Sequence, residues 1–183
     1  MSETATAALA PPIARPRAMD VEALYRSCVD DLYAYVRTVV RDPTTAEDVV
    51  AVAFERAVGR ARRFDPRRGS PRAWIFGIAR NAAIDELRRG GKRAELTHDP
   101  PDERQPDPAE ALAARDEAAE RRGAVAAAIA GLPGRDRELV ALKFHAGLSN
   151  AEIARILGIT PTNVGSRLHR VLARLREACH VEA

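Results

Sequence analysis

Leu132–Glu177, LPGRDRELVALKFHAGLSNAEIARILGITPTNVGSRLHRVLARLRE, is the stretch that decides the fold class. Within it, Ser149-x-x-Glu152 has the capping-box form, in which the hydroxyl and the carboxylate each satisfy a free amide at a helix start. Ile153, Ile156 and Leu157 follow at helical spacing, and Gly158 suits a left-handed C-terminal cap. Only Gly158-Ile159-Thr160 precede Pro161, a residue favoured at the first helical position. The next helix puts Val164, Leu168, Val171, Leu172 and Leu175 on one face, and Asn163, Ser166, Arg167, Arg170 and Arg174 on the other. Two helices joined by so short a turn make a helix-turn-helix unit. Arg and Asn offer bidentate hydrogen bonds to guanine and adenine edges in the major groove, and the first turn presents free N–H groups to a phosphate. An ordinary antiparallel helix pair on a protein surface shares the apolar inner face. The coincidence of tight turn, apolar inner face and polar-basic outer face favours DNA. Upstream, Val125, Ile129 and Leu132 mark one helix, stopped by Pro133-Gly134. Leu139 and Leu142, with Val140 and Phe144, mark another that ends at Gly147.

Working toward the N-terminus, periodicity again reads as helix. Asp20 caps a segment carrying Val21, Leu24, Tyr25, Cys28, Leu32, Val36, Val39 and Val40, which stops at Arg41-Asp42-Pro43. Thr45 and Asp48 resemble a capping box and open a second helix through Val49, Val52, Ala53, Phe54 and Val58. A basic, irregular loop runs from Arg60 to Gly69. Ser70 then caps, Pro71 starts, and Trp74, Ile75, Ile78, Ala82 and Leu87 carry a third helix that ends near Gly90-Gly91. No stretch alternates with period two. The expected fold is all-α, with two small helical domains at 20–93 and 119–179, a flexible acidic Pro-rich linker at 94–118 and a disordered tail at 1–19.

Composition supports a soluble helical protein: of 183 residues, 46% are hydrophobic and 30% charged. No run approaches the roughly 18–20 apolar residues of a membrane span, and the N-terminus lacks the pattern of a secretory signal. Two cysteines far apart, Cys28 and Cys179, argue for a reducing cytoplasm rather than a disulfide scaffold. Charge is segregated. Asp20–Arg93 holds 15 basic and 11 acidic residues, Ala94–Glu120 holds 2 and 9, and Arg121–Ala183 holds 10 and 5. Two cationic blocks thus flank an anionic one, which suits a polyanion partner as well as it suits plain solvated helices. No phosphate-binding Gly loop, zinc spacing or nucleophile–base set is present, so no enzyme, metal or cofactor is expected.

The C-terminal segment resembles the DNA-binding domain of bacterial sigma factors that reads the −35 promoter element. AEDVVAVAFERAV (46–58) and FDPRRGSPRAWIFGIARNAAIDELRR (64–89) resemble the N-terminal conserved domain of the extracytoplasmic-function (ECF) group. The resemblance implies a sigma factor that joins core RNA polymerase and directs transcription initiation of a specific regulon. It assigns clamp-helix contact to Glu47, Asp48, Val52, Phe54 and Arg56. It assigns capture of the melted −10 element to Phe64, Asp65, Arg67, Arg68, Arg80, Asn81, Arg88 and Arg89, and −35 reading to Thr162, Asn163, Ser166, Arg167, His169, Arg170 and Arg174. Trp74 reads as a core anchor, and Asp85 as a helical partner of Arg88 or Arg89. An anti-sigma factor is implied as a further partner. Departures stand at Ala51, Val52 and Val58, where the family carries Gln, Glu and Trp, and at Gly165, where it carries a basic residue. A duplex-DNA regulator acting without polymerase, and a purely protein-binding module, remain as alternatives from the residues alone.

Overall fold

The computed structural model describes residues 19–97 and 117–180, with side chains described at 19–91 and 123–177. Nearly all of the expected tail, most of the expected linker, and the side chains of Cys179 and His180 therefore lie outside the described residues. Among the described residues every regular element is helical.

The N-terminal half packs three helices against one another: α1 (Val21–Val40), α2 (Pro43–Arg60) and α3 (Pro71–Thr97). Helix α1 begins as its sequence dictates, with the Ala23 amide donating to the Asp20 carboxylate at 2.9 Å. It buries Leu24, Cys28, Leu32, Tyr35, Val36 and Val40. Tyr25, expected on that face, is instead 48% exposed, while Tyr35 is wholly buried. The two tyrosines differ in what their hydroxyls can reach. Tyr35 donates to Glu138 at 3.1 Å, a partner that makes its burial tolerable, whereas Tyr25 lies edge-on to Phe54 at the rim. Burial and the neighbouring carboxylate push the Tyr35 phenol well above its ordinary pKa, so it stays a donor. Burial likewise raises the Cys28 thiol, which donates to the Leu24 carbonyl as an inert core residue.

Two boundaries differ from expectation. Asp42, not Thr45, caps α2: its carboxylate accepts from the Thr45 amide at 2.7 Å, and Pro43 sits at the helix start. Helix α3 does not stop at Gly90-Gly91 but runs to Thr97. Each glycine costs about 1 kcal/mol of helix propensity, and the following Lys92-Arg93-Ala94-Glu95-Leu96 are strong enough helix formers to carry the backbone through. Between α2 and α3, the basic loop forms two 3₁₀ turns, Ala61–Arg63 and Pro66–Arg68. Phe76, absent from the expected core, is fully buried beside Tyr35. Val58, Leu87, Val125 and Phe144, expected among the apolar faces, are exposed.

The C-terminal half comprises α4 (Glu117–Ala130), α5 (Gly134–Phe144), α6 (Asn150–Leu157) and α7 (Pro161–His180). Helices α4, α5 and α6 all pack on α7. The capping box at Ser149 and Glu152 forms as expected, and Gly158 closes α6 at φ 68°, a left-handed geometry that costs other residues strain. Leu132, Val140 and Val171 form a small cluster with Leu175 against it.

The two halves are packed together. Helix α5 lies against α1 and α6 against α3, so one apolar cluster runs from Leu24 in α1 to Leu168 in α7. Each large side chain sealed in it contributes about 1.5–3 kcal/mol of transfer free energy.

Candidate nucleic-acid interface

Helix α7 is anchored by Val164, Leu168 and Val171, which are buried, and this fixes what its other face offers. The Thr160 hydroxyl accepts from the Asn163 amide at 3.2 Å and caps the helix start. Thr162, Asn163, Ser166, His169, Arg170 and Arg174 are exposed along one side. Arg167, expected among them as a free reader, is only partly exposed. It donates from Nη2 to Asp136 Oδ1 at 3.1 Å, and Arg174 approaches the other carboxylate oxygen at 4.0 Å. One acidic residue of α5 therefore sits within a row of three arginines.

The second surface is the loop before α3. Asp65 accepts from the Arg67 amide at 3.0 Å and so serves as the cap of its own turn. The Phe64 and Trp74 rings meet edge-on with centroids 5.7 Å apart. Trp74 is thus half core anchor, half wall of a 490 Å³ cleft whose near side includes Arg63, Phe64, Asp65, Arg68 and Asn81. Arg67 and Arg88 point to solvent outside that cleft, and Arg89 pairs with Glu86 at 3.0 Å. Arg80 is drawn away to Glu138 at 2.7 Å. Asp85 pairs not with Arg88 or Arg89 but with Arg56 of α2, at 3.5 Å.

On α2, Glu47 and Asp48 are exposed and Val52 is partly so, but Phe54 is buried beneath Tyr25 and offers no free side chain. Ala51, Glu55 and Val58 share an exposed face one and two turns apart, with Val58 66% exposed.

The far side of the cleft belongs to the C-terminal half: Glu152, Arg155 and Ile156 of α6. Glu152 Oε1 accepts from the Ser70 amide and hydroxyl, while Oε2 accepts from the Ser149 amide at 3.0 Å and its hydroxyl at 2.7 Å. Burial alone would raise this carboxyl; the Ser70 and Ser149 hydrogen bonds outweigh it and hold the pKa down to about 2. Arg155 donates to the Arg68 carbonyl. Gly69, at φ 149°, leaves the space that guanidinium uses: a Cβ there would lie 3.1 Å from Arg155 Nη1. Arg72 ties the seam at its other end, donating to the carbonyls of Ala146 and His145, bridging to Asp31, and lying 5.5 Å from the Phe76 ring centroid. Sequence reasoning missed Arg72, Asp136, Glu138 and the outward role of Glu152. Their partners lie 31 to 103 residues away, beyond the reach of periodicity.

Among the described residues no group of three or more His, Cys, Asp or Glu side chains could hold a metal ion, and no helix is long and apolar enough to cross a membrane.

Residues 24–93 match the family described as Sigma-70 region 2, and residues 122–175 match Sigma-70, region 4. The chain is 34% identical over 158 residues to the ECF RNA polymerase sigma factor SigL of Mycobacterium tuberculosis, covering 85% of this chain and 86% of the relative. It is 36% identical over 134 residues to the ECF sigma factor RpoE of Cereibacter sphaeroides, covering 72% and 68%. The fold is similar to that of the sigma factor RpoE from Bartonella quintana, solved with the anti-sigma factor NepR, at TM-score 0.66, 21% identity and coverage of 88% and 98%. It is also similar to CnrH, solved with the cytosolic domain of CnrY, at TM-score 0.61, 24% identity and coverage of 89% and 89%. The chain belongs to the ECF group of RNA polymerase sigma factors, the promoter-recognising, non-enzymatic subunits of transcription initiation.

Proposed function

We propose that this sigma factor, acting in the cytoplasm, divides promoter recognition between its two halves. Helix α7 enters the major groove at the −35 element, with Asn163, Ser166 and Arg170 on base edges, Arg167 beside them in the orientation Asp136 gives it, and Thr162, His169 and Arg174 alongside. Phe64, Asp65, Arg68 and Asn81 receive an unstacked base of the melted −10 strand, while Arg67, Arg88 and Arg89 hold its phosphates, joined by Arg80 once the halves part and Glu138 releases it. The observation that supports this best is the outer face of α7, polar and basic on a helix whose other side is locked into the core.

Docking on core polymerase uses the exposed face of α2, with Glu47 and Asp48 for polar contacts. Ala51, Val52 and Val58 supply apolar area where relatives carry Gln, Glu and Trp, and Arg56 is steadied by Asp85. Phe54 shapes that face from beneath. The two solved relatives named above support a protein inhibitor as a further partner, because each was solved with a bound partner chain and the fold is shared.

The test is run-off transcription with purified core polymerase and fragments of the source genome, including the region upstream of this chain's own coding sequence. Specific transcripts that require both proteins are expected. Sequence-specific binding by the chain alone, with no transcript under any condition, would overturn the reading in favour of a free-standing regulator.

A further inference from the structure

The seam between the halves has a feature that neither promoter reading requires. The Glu152 carboxylate is divided: Oε2 closes the capping box of its own helix, and Oε1 takes the amide and hydroxyl of Ser70 in the other half. The Ser70 hydroxyl is itself shared, since it accepts from the Ala73 amide at 3.1 Å as the cap of α3. One turn along α6, Arg155 reaches the Arg68 carbonyl past the bare Gly69. Ile156 fills the bottom of the same cleft, where a Cβ on Gly77 would touch it at 3.9 Å. The polar and cationic groups of a single helix face thus each meet a matching feature of one loop, and its apolar group meets the helix that follows that loop.

Geometry makes this arrangement exclusive with promoter binding. The −35 and −10 elements lie about 25 base pairs apart, roughly 85 Å of B-form helix at 3.4 Å per step. Helix α7 starts four residues after α6 ends and, at 20 residues, is only about 30 Å long. While α6 rests on the loop, α7 cannot reach a −35 element that is in register with a −10 strand in that loop. The 19 residues from 98 to 116 can span about 65 Å when extended, enough with the flanking helices to let the halves part.

We propose that the face of α6 formed by Glu152, Arg155 and Ile156 is a binding surface for the Phe64–Ser70 loop and the first turns of α3 in the same chain, so that the free protein latches its own base-capture site and melted DNA competes with α6 for it. The proposal rests on the assignment of that loop to the −10 strand. Glu152 is the latch residue because its two oxygens serve the two halves at once. An amide has a single acceptor oxygen, so Glu152→Gln keeps a capping-box residue and cannot satisfy both serines.

The test labels the full chain at Glu55→Cys and Arg135→Cys in a Cys179→Ser background and measures the inter-label distance distribution. Binding of a fluorescent single-stranded 12-mer of randomised sequence is measured in parallel. The parent is expected to give one short distance. Glu152→Gln and Arg155→Ala should each add a long-distance population and tighten strand binding by about tenfold, the factor released when a state populated at a tenth becomes dominant. Ser149→Ala, which breaks the cap and leaves Ser70 untouched, should lower thermal stability yet keep the short distance. An unchanged short distance in both seam variants, or a broad distribution already in the parent, overturns the latch. Opening with no gain in strand affinity supports the latch and overturns the loop's assignment as the base-capture site.

Discussion

Two carboxylates of the C-terminal half, Asp136 and Glu152, do opposite things with similar chemistry. Asp136 faces inward, to Arg167 and Arg174 of its own half, and that contact travels unchanged wherever the half goes. Glu152 faces outward, to Ser70 of the other half, and that contact survives only while the halves stay together. The first can therefore shape how DNA is read, and the second can only govern when. A local contact supports function by persisting; a contact across a seam does so by breaking.

The largest effect that tests this contrast should come from an arginine no carboxylate restrains. Arg170 is exposed, and among the described residues its one hydrogen bond is a long one to the Ser166 carbonyl at 3.4 Å. A lost bidentate base contact costs about 1–3 kcal/mol, so Arg170→Ala should weaken promoter binding by the holoenzyme some 10- to 100-fold at fixed salt. The loss should be confined to promoters with the preferred −35 base. A uniform loss across sequences, with a shallower salt slope, would make Arg170 a phosphate contact instead.

Next comes Asp136→Asn. Asparagine can still accept from Arg167, but the negative charge inside the arginine row is gone. Non-specific DNA affinity should rise and its salt dependence steepen, because a repulsion to phosphate is removed. The preference for the correct −35 base should fall about tenfold, near 1.4 kcal/mol, as the Arg167 fork loses its orientation. Selection of a randomised −35 element by the holoenzyme reads both changes, and Asp136→Glu should restore the preference. If Asp136→Asn lowers affinity for every sequence alike, the residue is structural only.

How much of this was legible in the sequence follows the same division. Whatever a helix does within itself could be read: Ser149 with Glu152, Gly158, the Ser70-Pro71 start, and the apolar side of α7 all stand where periodicity and capping chemistry put them. What one helix does to a distant one could not. Periodicity placed Tyr25 inside because it marks a face, yet the choice between Tyr25 and Tyr35 was made by Glu138, 103 residues from Tyr35. Arg80 and Arg167 were legible as basic and outward, but not as already partnered. The α2 start is not legible from local pattern, because Thr45-Ala-Glu-Asp48 resembles a cap while Asp42, just before Pro43, does the capping. The seam left no mark in local pattern at all. Glu152 looked complete as a capping residue, and only the fold shows its second oxygen in use.

The contrast between the carboxylates also has a pH signature of smaller size. Glu152 is held near pKa 2 in the folded chain against an ordinary value of 4.5. A depressed carboxyl contributes its stabilisation fully above the unfolded value and loses it as pH falls through the folded one. The latch should therefore be indifferent to pH from 5 to 9 and weaken only between about 4.5 and 2. Inter-label distance against pH checks it, with Glu152→Gln expected to show no such transition. A transition near neutrality would mean that a group other than Glu152 governs the latch.

The smallest effect concerns the joint between the two helices that carry these roles. Gly165 lies in α7, where a Cβ would meet only Asn150 Nδ2 of α6, at the ordinary contact distance of 3.7 Å. Asn150 Oδ1 in turn accepts from Lys143 Nζ at 3.4 Å, so its amide is loosely held and can give. With nothing to clash, Gly165→Ala should recover the helix-propensity cost and stabilise the chain by about 0.5–1 kcal/mol, raising the melting temperature by a few degrees. Neither the seam nor the Asp136 pair is touched, so inter-label distance and −35 preference should both stay put. A fall in melting temperature would mean that α6 and α7 are packed too tightly for one methyl. Motion of α6 at the seam would then be felt directly by the helix that reads DNA, and the separation between when DNA is bound and how it is read would fail at that joint.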